Sequence, residues 1–446
     1  MKGNWLHIGK GRTNLLVKNI FFSFFIKGWS ALVVLLMVPL TLKCLGQYMN
    51  GVWLTISSLL VWIDQMDIGL GNGLRNKLAI YEANGNNEKA QRIVSSTMAM
   101  LTCIILPIYF ILAIAIWQGD VYAFFNTRQE LVPELRTALL SAVTLVSATF
   151  ILKFIGNVYM GMQLPAVSNL IVAVGQTLAL LGTWLLFITD HASFLLVVSV
   201  NTLGPFLAYT VAYPLTFYAK FPLLRPTWKC INWNTSLQLG NLGVKFFWLQ
   251  IASIIQFFTA NILISRFFTP EMVTPYQIAY RYMSVVLVFF SVFCMPFWNA
   301  TTDAYERHDI DWIKQASKRM NQFTALIFIL LAAQTAISPW VYRWWIGDNC
   351  HVPFGMTCMM AIYIYLLILS TRFSYFLNGI GALRLQVYAT VMAIIFIPTA
   401  WLVSSITHNI LWFMAVMCFC NLPGIVLNII QFNKILNGTA TGIWRK

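Results

Sequence analysis

Charge is what this sequence has least of. Asp, Glu, Lys and Arg make up 10% of its 446 residues, and only 14 of the side chains are acidic. A water-soluble domain carries roughly 25% charged residues, so a large soluble domain is excluded. Other absences narrow the reading further. The eight cysteines, Cys44, Cys103, Cys230, Cys294, Cys350, Cys358, Cys418 and Cys420, contain no CxxC pair. A disulfide framework or a zinc centre is therefore not expected, and they read as apolar filler. His7, His191, His308, His351 and His408 lie far apart and form no HExxH spacing, so no metal or other cofactor is expected. No small-residue cleavage site follows the first apolar segment, and Lys43 before Cys44 speaks against a lipoprotein-like leader. That segment is expected to stay attached as the first span.

What is present in abundance is hydrocarbon. Hydrophobic residues account for 59% of the chain, and the mean hydropathy is +0.72, which marks a membrane-embedded protein. Apolar segments fall near residues 14–42, 48–70, 93–117, 137–160, 166–189 and 193–218 in the first half. A second set falls near 237–265, 273–300, 320–341, 355–377, 384–406 and 409–432. A spanning helix needs about 20 apolar residues, so the pattern predicts twelve crossings with both termini on one side.

The net charge is +15, which on a folded surface would suggest nucleic acid. Here the basic residues sit between apolar runs, and no nucleic-acid partner is expected. Connections on the amino-terminal side hold 19 of the 29 Lys and Arg residues, against five on the opposite side. Cytoplasmic loops are enriched in basic residues, so both termini are expected in the cytoplasm.

Two polar connections, Asn72–Arg92 and Thr301–Arg319, occupy equivalent places in the two halves and are each long enough for an interfacial helix. The halves also resemble one another directly. Asn14-Leu15-Leu16-Val17-Lys18 recurs as Asn241-Leu242-Gly243-Val244-Lys245, Lys153-Phe154 as Arg372-Phe373, and Gly161 as Gly379, with a looser echo of Lys89-Ala90-Gln91 in Lys314-Gln315-Ala316. The fold expected is therefore an all-α integral membrane protein, with twelve transmembrane helices in two pseudo-symmetric six-helix lobes. Residues 1–218 form the first lobe, 219–236 a cytoplasmic linker and 237–446 the second lobe. With an even number of spans per lobe the two run parallel, which leaves a cleft that rocking opens to alternate sides.

Five basic residues fall inside apolar segments: Lys27, Lys153, Lys245, Arg281 and Arg372. Each costs about 2.5–3.5 kcal/mol at a central position, so they are expected to line a hydrated cavity that binds anions. Snorkelling of the long side chains to the interface is the alternative for Lys153, Lys245 and Arg372. Only Asp64 and Asp67 lie at comparable depth among acids. They are candidates for ion coupling, for pairing with Lys18 or Lys153, or simply for the polar end of the second span. Trp29, Trp62 and Trp248 lie inside spans and could stack on sugar faces or pack ordinarily. Trp117, Trp228, Trp233, Trp312, Trp340, Trp344 and Trp345 lie near span ends, as interface anchors do. A net positive interior selects an anionic cargo and disfavours cationic amphiphiles.

Pro39-Leu40, Leu45-Gly46, Asn50-Gly51-Val52-Trp53 and Asp67-Ile68-Gly69-Leu70-Gly71-Asn72-Gly73 together resemble the amino-terminal signature of bacterial polysaccharide-export flippases, the O-antigen flippase group. Asn378-Gly379 with Leu383-Arg384-Leu385 is similar to the turn after their tenth span. The resemblance implies the multidrug/oligosaccharidyl-lipid/polysaccharide exporter superfamily, located in the bacterial inner membrane. It implies movement of undecaprenyl-diphosphate-linked oligosaccharide between leaflets, with membrane lipid as surroundings and a polysaccharide polymerase or ligase as candidate protein partner. No catalytic residue is implied.

Three rival readings have distinct signatures. A multidrug or toxin extruder of the same superfamily should place carboxylates, rather than cations, inside its lobes. A peptidoglycan lipid II flippase has two further helices, for which no apolar segment is spare. A membrane polysaccharide polymerase needs a sizeable extracytoplasmic loop, and the longest here is about Gly119–Arg136, whose Asp120, Glu130 and Glu134 read as solvated surface.

Overall fold

The computed structural model describes residues 10–232 except 65 and 68, and residues 259–444 except 383, 384 and 386–390. Regular structure among the described residues is helical throughout. In hydrocarbon each backbone N–H and C=O must be satisfied within its own segment, and the helix does this for apolar runs of any composition. Eight helical stretches among the described residues are long and apolar enough to cross a membrane.

The chain divides into two compact units, Met1–Met49 with Leu59–Phe247, and Asn50–Ser58 with Trp248–Lys446. The first comprises α1 (Lys10–Asp64, less its residues 50–58), α2 (Leu70–Ala83), α3 (Asn87–Gln118), the single turn α4 (Val121–Phe124), α5 (Leu135–Leu152), α6 (Phe154–Gly161), α7 (Pro165–Ile188) and α8 (Phe194–Pro214). The second comprises helical residues 259–267 (α9), α10 (Pro270–Glu306), α11 (Ile310–Trp345), α12 (Phe354–Ile380), α13 (Val391–Thr407) and α14 (Ile410–Leu436). As a straight rod, α1 would be more than twice as long as a bilayer core is thick. Gly46, at φ 70° and ψ 172°, breaks it into the two crossings that the hydropathy predicts.

Small residues bring the helices together. A Cβ on Gly204 of α8 would lie 2.5 Å from the Gly175 carbonyl oxygen of α7, and one on Gly182 of α7 would lie 2.5 Å from Val200. In the second unit a Cβ on Gly379 of α12 would meet the Trp298 carbonyl oxygen of α10 at 2.8 Å, and Thr302 Oγ1 donates to the Gly379 carbonyl at 3.0 Å. Lipid offers spanning helices little hydrophobic drive to associate, so such close backbone approach carries much of the packing.

The internal repeat is visible in three dimensions. Phe154 of α6 meets Phe217, and its counterpart Phe373 of α12 meets Phe432 of α14, both with ring centroids 5.7 Å apart, the first pair stacked and the second edge-on. Gly161 packs against Arg75 and Leu78 of α2, and its counterpart Gly379 packs against Trp298 and Thr301 of α10. Each glycine thus receives the connection that follows the second span of its own half.

The two polar connections differ from expectation in one respect. The first contains the separate helix α2, set off by Gly69 at φ 70°. The second forms no independent interfacial helix: α10 and α11 run on through it and meet at Arg307–Asp309, where His308 takes φ 58°. No glycine or proline lies between Thr301 and Arg319 to end either helix sooner.

The described part of the segment after α8 is held against α3. Gln91 of α3 donates from Nε2 to the Arg225 carbonyl at 2.9 Å, and the hydroxyls of Ser95 and Ser96 accept from the N–H groups of Thr227 and Asn232 at 3.1 and 2.9 Å. Cys230 Sγ adds a contact to Gln91 Oε1 at 3.6 Å. Residues through 232 are thereby strapped along the start of α3. On the opposite connection, Arg136 donates to the Gly119 carbonyl and Tyr122 to the Pro133 carbonyl, at 3.1 and 3.0 Å, which folds the Gly119–Arg136 loop on itself.

Candidate functional site

Two interruptions of regular helix place charged groups side by side in the first unit. The helix α1 ends at Asp64, and the fourth crossing breaks at Lys153, the residue between α5 and α6. There the Gly156 N–H reaches back to the Lys153 carbonyl at 3.0 Å, three residues rather than four, so the helix tightens by one turn. A carboxylate at a helix C-terminus faces the negative end of the helix dipole and is unfavourable unless a cation stands beside it. Lys153 Nζ supplies that cation, in direct contact with Asp64 Oδ2, and both side chains are about one-third exposed, at 36% and 29%.

The pair lies in the wall of a cavity of about 280 Å³ within this unit. Leu60, Val61, Val146, Ile171, Val172 and Pro205 make its apolar lining. Thr149, Gln176, Asn201, Thr202 and Tyr209 contribute the neutral polar groups. Gln176 Oε1 has no hydrogen-bond donor among the described residues. Sequence reasoning passed over these neutral residues, although an amide inside an apolar span, as at Gln176 and Asn201, is a legible signal on its own.

Asp67, three residues on, is occupied differently. Its two carboxylate oxygens accept from the backbone N–H groups of Gly69 and Gly71, at 3.1 and 3.2 Å. It ties the turn after α1 to the start of α2, and Asn157 of α6 crowds the same spot, 2.4 Å from where a Gly71 Cβ would stand. Of the two acids singled out from the sequence, Asp64 faces the cavity and Asp67 holds backbone.

Lys27 is exposed on α1. Nearby Trp29, at 45% exposure, donates from Nε1 to Thr177 Oγ1 at 3.0 Å, so this stretch of α1 lies along α7 beside the cavity wall. Trp62 is half-buried with its ring N–H lacking an acceptor among the described residues.

In the second unit Arg372 is buried at 7% exposure, its guanidinium carbon 4.3 Å from the centre of the Phe373 ring. Its Nε has no acceptor, and no carboxylate pairs with it, among the described residues. On α14, Gln431 is fully buried with neither amide atom hydrogen-bonded, and the Asn428 carbonyl oxygen is likewise without a donor among the described residues. Arg281 is half-buried on α10 without a carboxylate partner among the described residues, and its carbonyl accepts from Ser284 at 3.1 Å. Lys245 and Trp248 lie outside the described residues. Of the five cations predicted inside spans, one is therefore neutralised in place, and three are described without a carboxylate partner.

No protein-family model matches the chain. It is 21% identical over 366 residues to the "Putative O-antigen export protein" of Yersinia pseudotuberculosis, an alignment covering 78% of this chain and 79% of that one. Among solved structures, it superposes on the inward-facing conformation of a multidrug resistance MATE family transporter of the MOP superfamily with a TM-score of 0.77. That match has 14% identity and covers 92% of this chain and 96% of the other. The Vibrio cholerae MATE transporter VcmN in its bent form gives a TM-score of 0.60 at 14% identity, with 97% and 99% covered. The chain therefore has the fold of the MATE transporters on which it superposes, and it is similar in sequence to a protein named for O-antigen export.

Proposed function

We propose that this protein is a flippase. It carries an oligosaccharide linked to undecaprenyl diphosphate from the cytoplasmic to the outer leaflet of the bacterial inner membrane, by alternating access and without chemical conversion of the cargo. The observation that carries the reading is the charge balance inside the spans. Arg372 is buried and Arg281 half-buried with no carboxylate on either among the described residues, and the sequence adds Lys27 and Lys245 within apolar segments. Unpaired cations in a low-dielectric setting favour an anionic ligand, and a diphosphate offers several acceptor oxygens to a guanidinium.

The named function of the Yersinia relative points to the same cargo class, and the exporter fold supplies the two moving lobes. The proposed headgroup-binding set is Lys27, Arg281 and Arg372, with Lys245 as a fourth member expected from sequence. Lys153 is set apart by its pairing with Asp64, and Trp29 and Trp62 remain candidate sugar-stacking rings. The polyprenyl tail has no difficulty in hydrocarbon and stays in lipid while the headgroup crosses. Naked phosphate would lose hydration worth tens of kcal/mol, at the order-of-magnitude level, so the cationic path removes the main barrier. An inside-negative potential of about 100 mV assists an outgoing anion by about 2.3 kcal/mol per charge. In this reading both termini lie in the cytoplasm, and a polysaccharide polymerase or ligase is the candidate recipient outside.

Leaflet-resolved labelling of the lipid-linked glycan in cells lacking this protein tests the proposal. Retention of the precursor on the cytoplasmic face supports it, and unchanged arrival at the outer face sinks it. A multidrug extruder is the second reading that the MATE neighbours raise, and it predicts efflux of cationic dyes, lost on Asp64→Asn, with no change in the glycan.

A further inference from the structure

The structure assigns Lys153 the part of a built-in cation. We propose that its tethered ammonium occupies, on Asp64, the place a sodium ion or a proton would otherwise take in the cavity of the first unit. The cavity then exchanges no cation with solvent during the cycle, and becomes a monovalent-cation site only when Lys153 is neutralised. The inference concerns this cavity alone and does not depend on the cargo.

Three observations carry it. Asp64 sits at the C-terminal end of α1, against an apolar wall of Leu60, Val61, Ile171 and Pro205. A bare carboxylate there is opposed both by desolvation and by the helix dipole, and only a proton, a metal cation or a basic side chain relieves it. Lys153 is that side chain, delivered from 89 residues away by the break between α5 and α6.

The rest of the cavity is furnished with neutral oxygens of the kind that hard cations take. Thr149 and Thr202 give their hydroxyl hydrogens to the Leu145 and Val198 carbonyls of their own helices, at 2.7 and 3.0 Å, which leaves lone pairs on each oxygen. Asn201 spends its amide N–H on the Val197 carbonyl at 2.8 Å and on Thr183 Oγ1 at 3.2 Å, leaving its carbonyl oxygen as an acceptor. Gln176 Oε1 has no donor among the described residues. The volume of about 280 Å³ accommodates an ion with several waters, each of which takes about 30 Å³.

Competing charges are few. Facing Asp64 are Lys153 from the α5–α6 break, Tyr209 from α8 and the neutral Gln176 from α7, while Asp67 is engaged with the Gly69 and Gly71 N–H groups. With one carboxylate and one ammonium in contact, the cavity carries no net charge to hold a further cation.

The test uses the full-length protein in lipid nanodiscs, unfolded thermally in sodium chloride and in choline chloride of equal ionic strength, at pH 8 and pH 6. Wild type is expected to show no saturable sodium-dependent shift of its midpoint. Lys153→Met should gain one of several degrees in sodium, or an equal rise on acidification if a proton fills the place instead, and Lys153→Met with Asp64→Asn should lose either response. A saturable sodium response of wild type that Asp64→Asn abolishes overturns the proposal, as does a folded Lys153→Met that responds to neither cation. Should Lys153→Met fail to accumulate, recovery of the protein on adding Asp64→Asn supports the proposal, and no recovery overturns it. Because the readout is unfolding, its failure leaves the glycan-labelling result unaffected.

Discussion

Lys153 and Arg372 occupy matching positions in the two halves of the sequence, each followed by a phenylalanine. Their surroundings have diverged. Lys153 stands at a helix break with Asp64 against it, while Arg372 lies in the unbroken last third of α12, beside the Phe373 ring and without a carboxylate among the described residues. A guanidinium suits that place, because it is planar, weakly hydrated and able to lie over an aromatic face. Arg372→Met is therefore expected to lower export on the order of tenfold or more, the weight of one charge-assisted hydrogen bond of about 1.5–3 kcal/mol. Arg372→Lys should fall between, since it keeps the charge and loses the fork. Flux of lipid-linked glycan per inserted protein measures both. If Lys27, exposed on α1, serves the proposed cargo by its charge, Lys27→Ala should impair export while Lys27→Arg retains most of it, with membrane insertion intact in both. Equal flux through the two Lys27 variants would remove that residue from the binding set.

At the level of helices, contact is set by glycines that no larger residue could replace where backbones nearly touch. A side chain at Gly204 would enter the Gly175 carbonyl, and one at Gly379 would enter Thr301 and the Trp298 carbonyl. Gly204→Val and Gly379→Val should each destabilise their lobe by about 1–3 kcal/mol, the usual range for overpacking, read as a lower unfolding midpoint in detergent. Gly355, whose Cβ would meet only Leu411 side-chain carbons at 3.4 Å or more, should tolerate alanine and serves as the control. The strap after α8 rests on polar contacts instead. Replacing Ser95 and Ser96 by alanine removes two acceptors, worth about 0.5–1.5 kcal/mol each, and frees the segment from α3. Maleimide labelling of Cys230, half-buried against Gln91, should then quicken several-fold relative to the same cysteine in wild type.

For the molecule as a whole, the uneven distribution of basic residues sets the expected orientation. Reporters joined after α14 and within the Gly119–Arg136 loop should signal the cytoplasm and the outside respectively. The reverse result would turn the proposed direction of transport around. Because the first unit's cavity carries balanced charge, export is expected to persist when sodium is replaced by choline, with the membrane potential held constant. Collapse of that potential should slow it if the cargo is the proposed anion.

Much of this protein was fixed by properties that add up locally along the chain. About 20 consecutive apolar residues make a spanning helix wherever they occur, so the number and rough limits of the crossings follow from hydropathy alone. The excess of basic over acidic residues within the apolar segments and the repeat of Lys153-Phe154 in Arg372-Phe373 were equally legible, because both are matters of composition and order. Pairing was not. That Lys153 meets Asp64, that Asp67 turns to the Gly69 and Gly71 backbone, and that Gln176 and Asn201 furnish the same cavity depend on contacts between residues far apart in the chain. The strap on α3 and the fusion of the Thr301–Arg319 connection into α10 and α11 belong with them. Polar groups inside a membrane lack water as a partner, so each takes whichever neighbour packing brings within reach, and only the folded chain decides which neighbour that is.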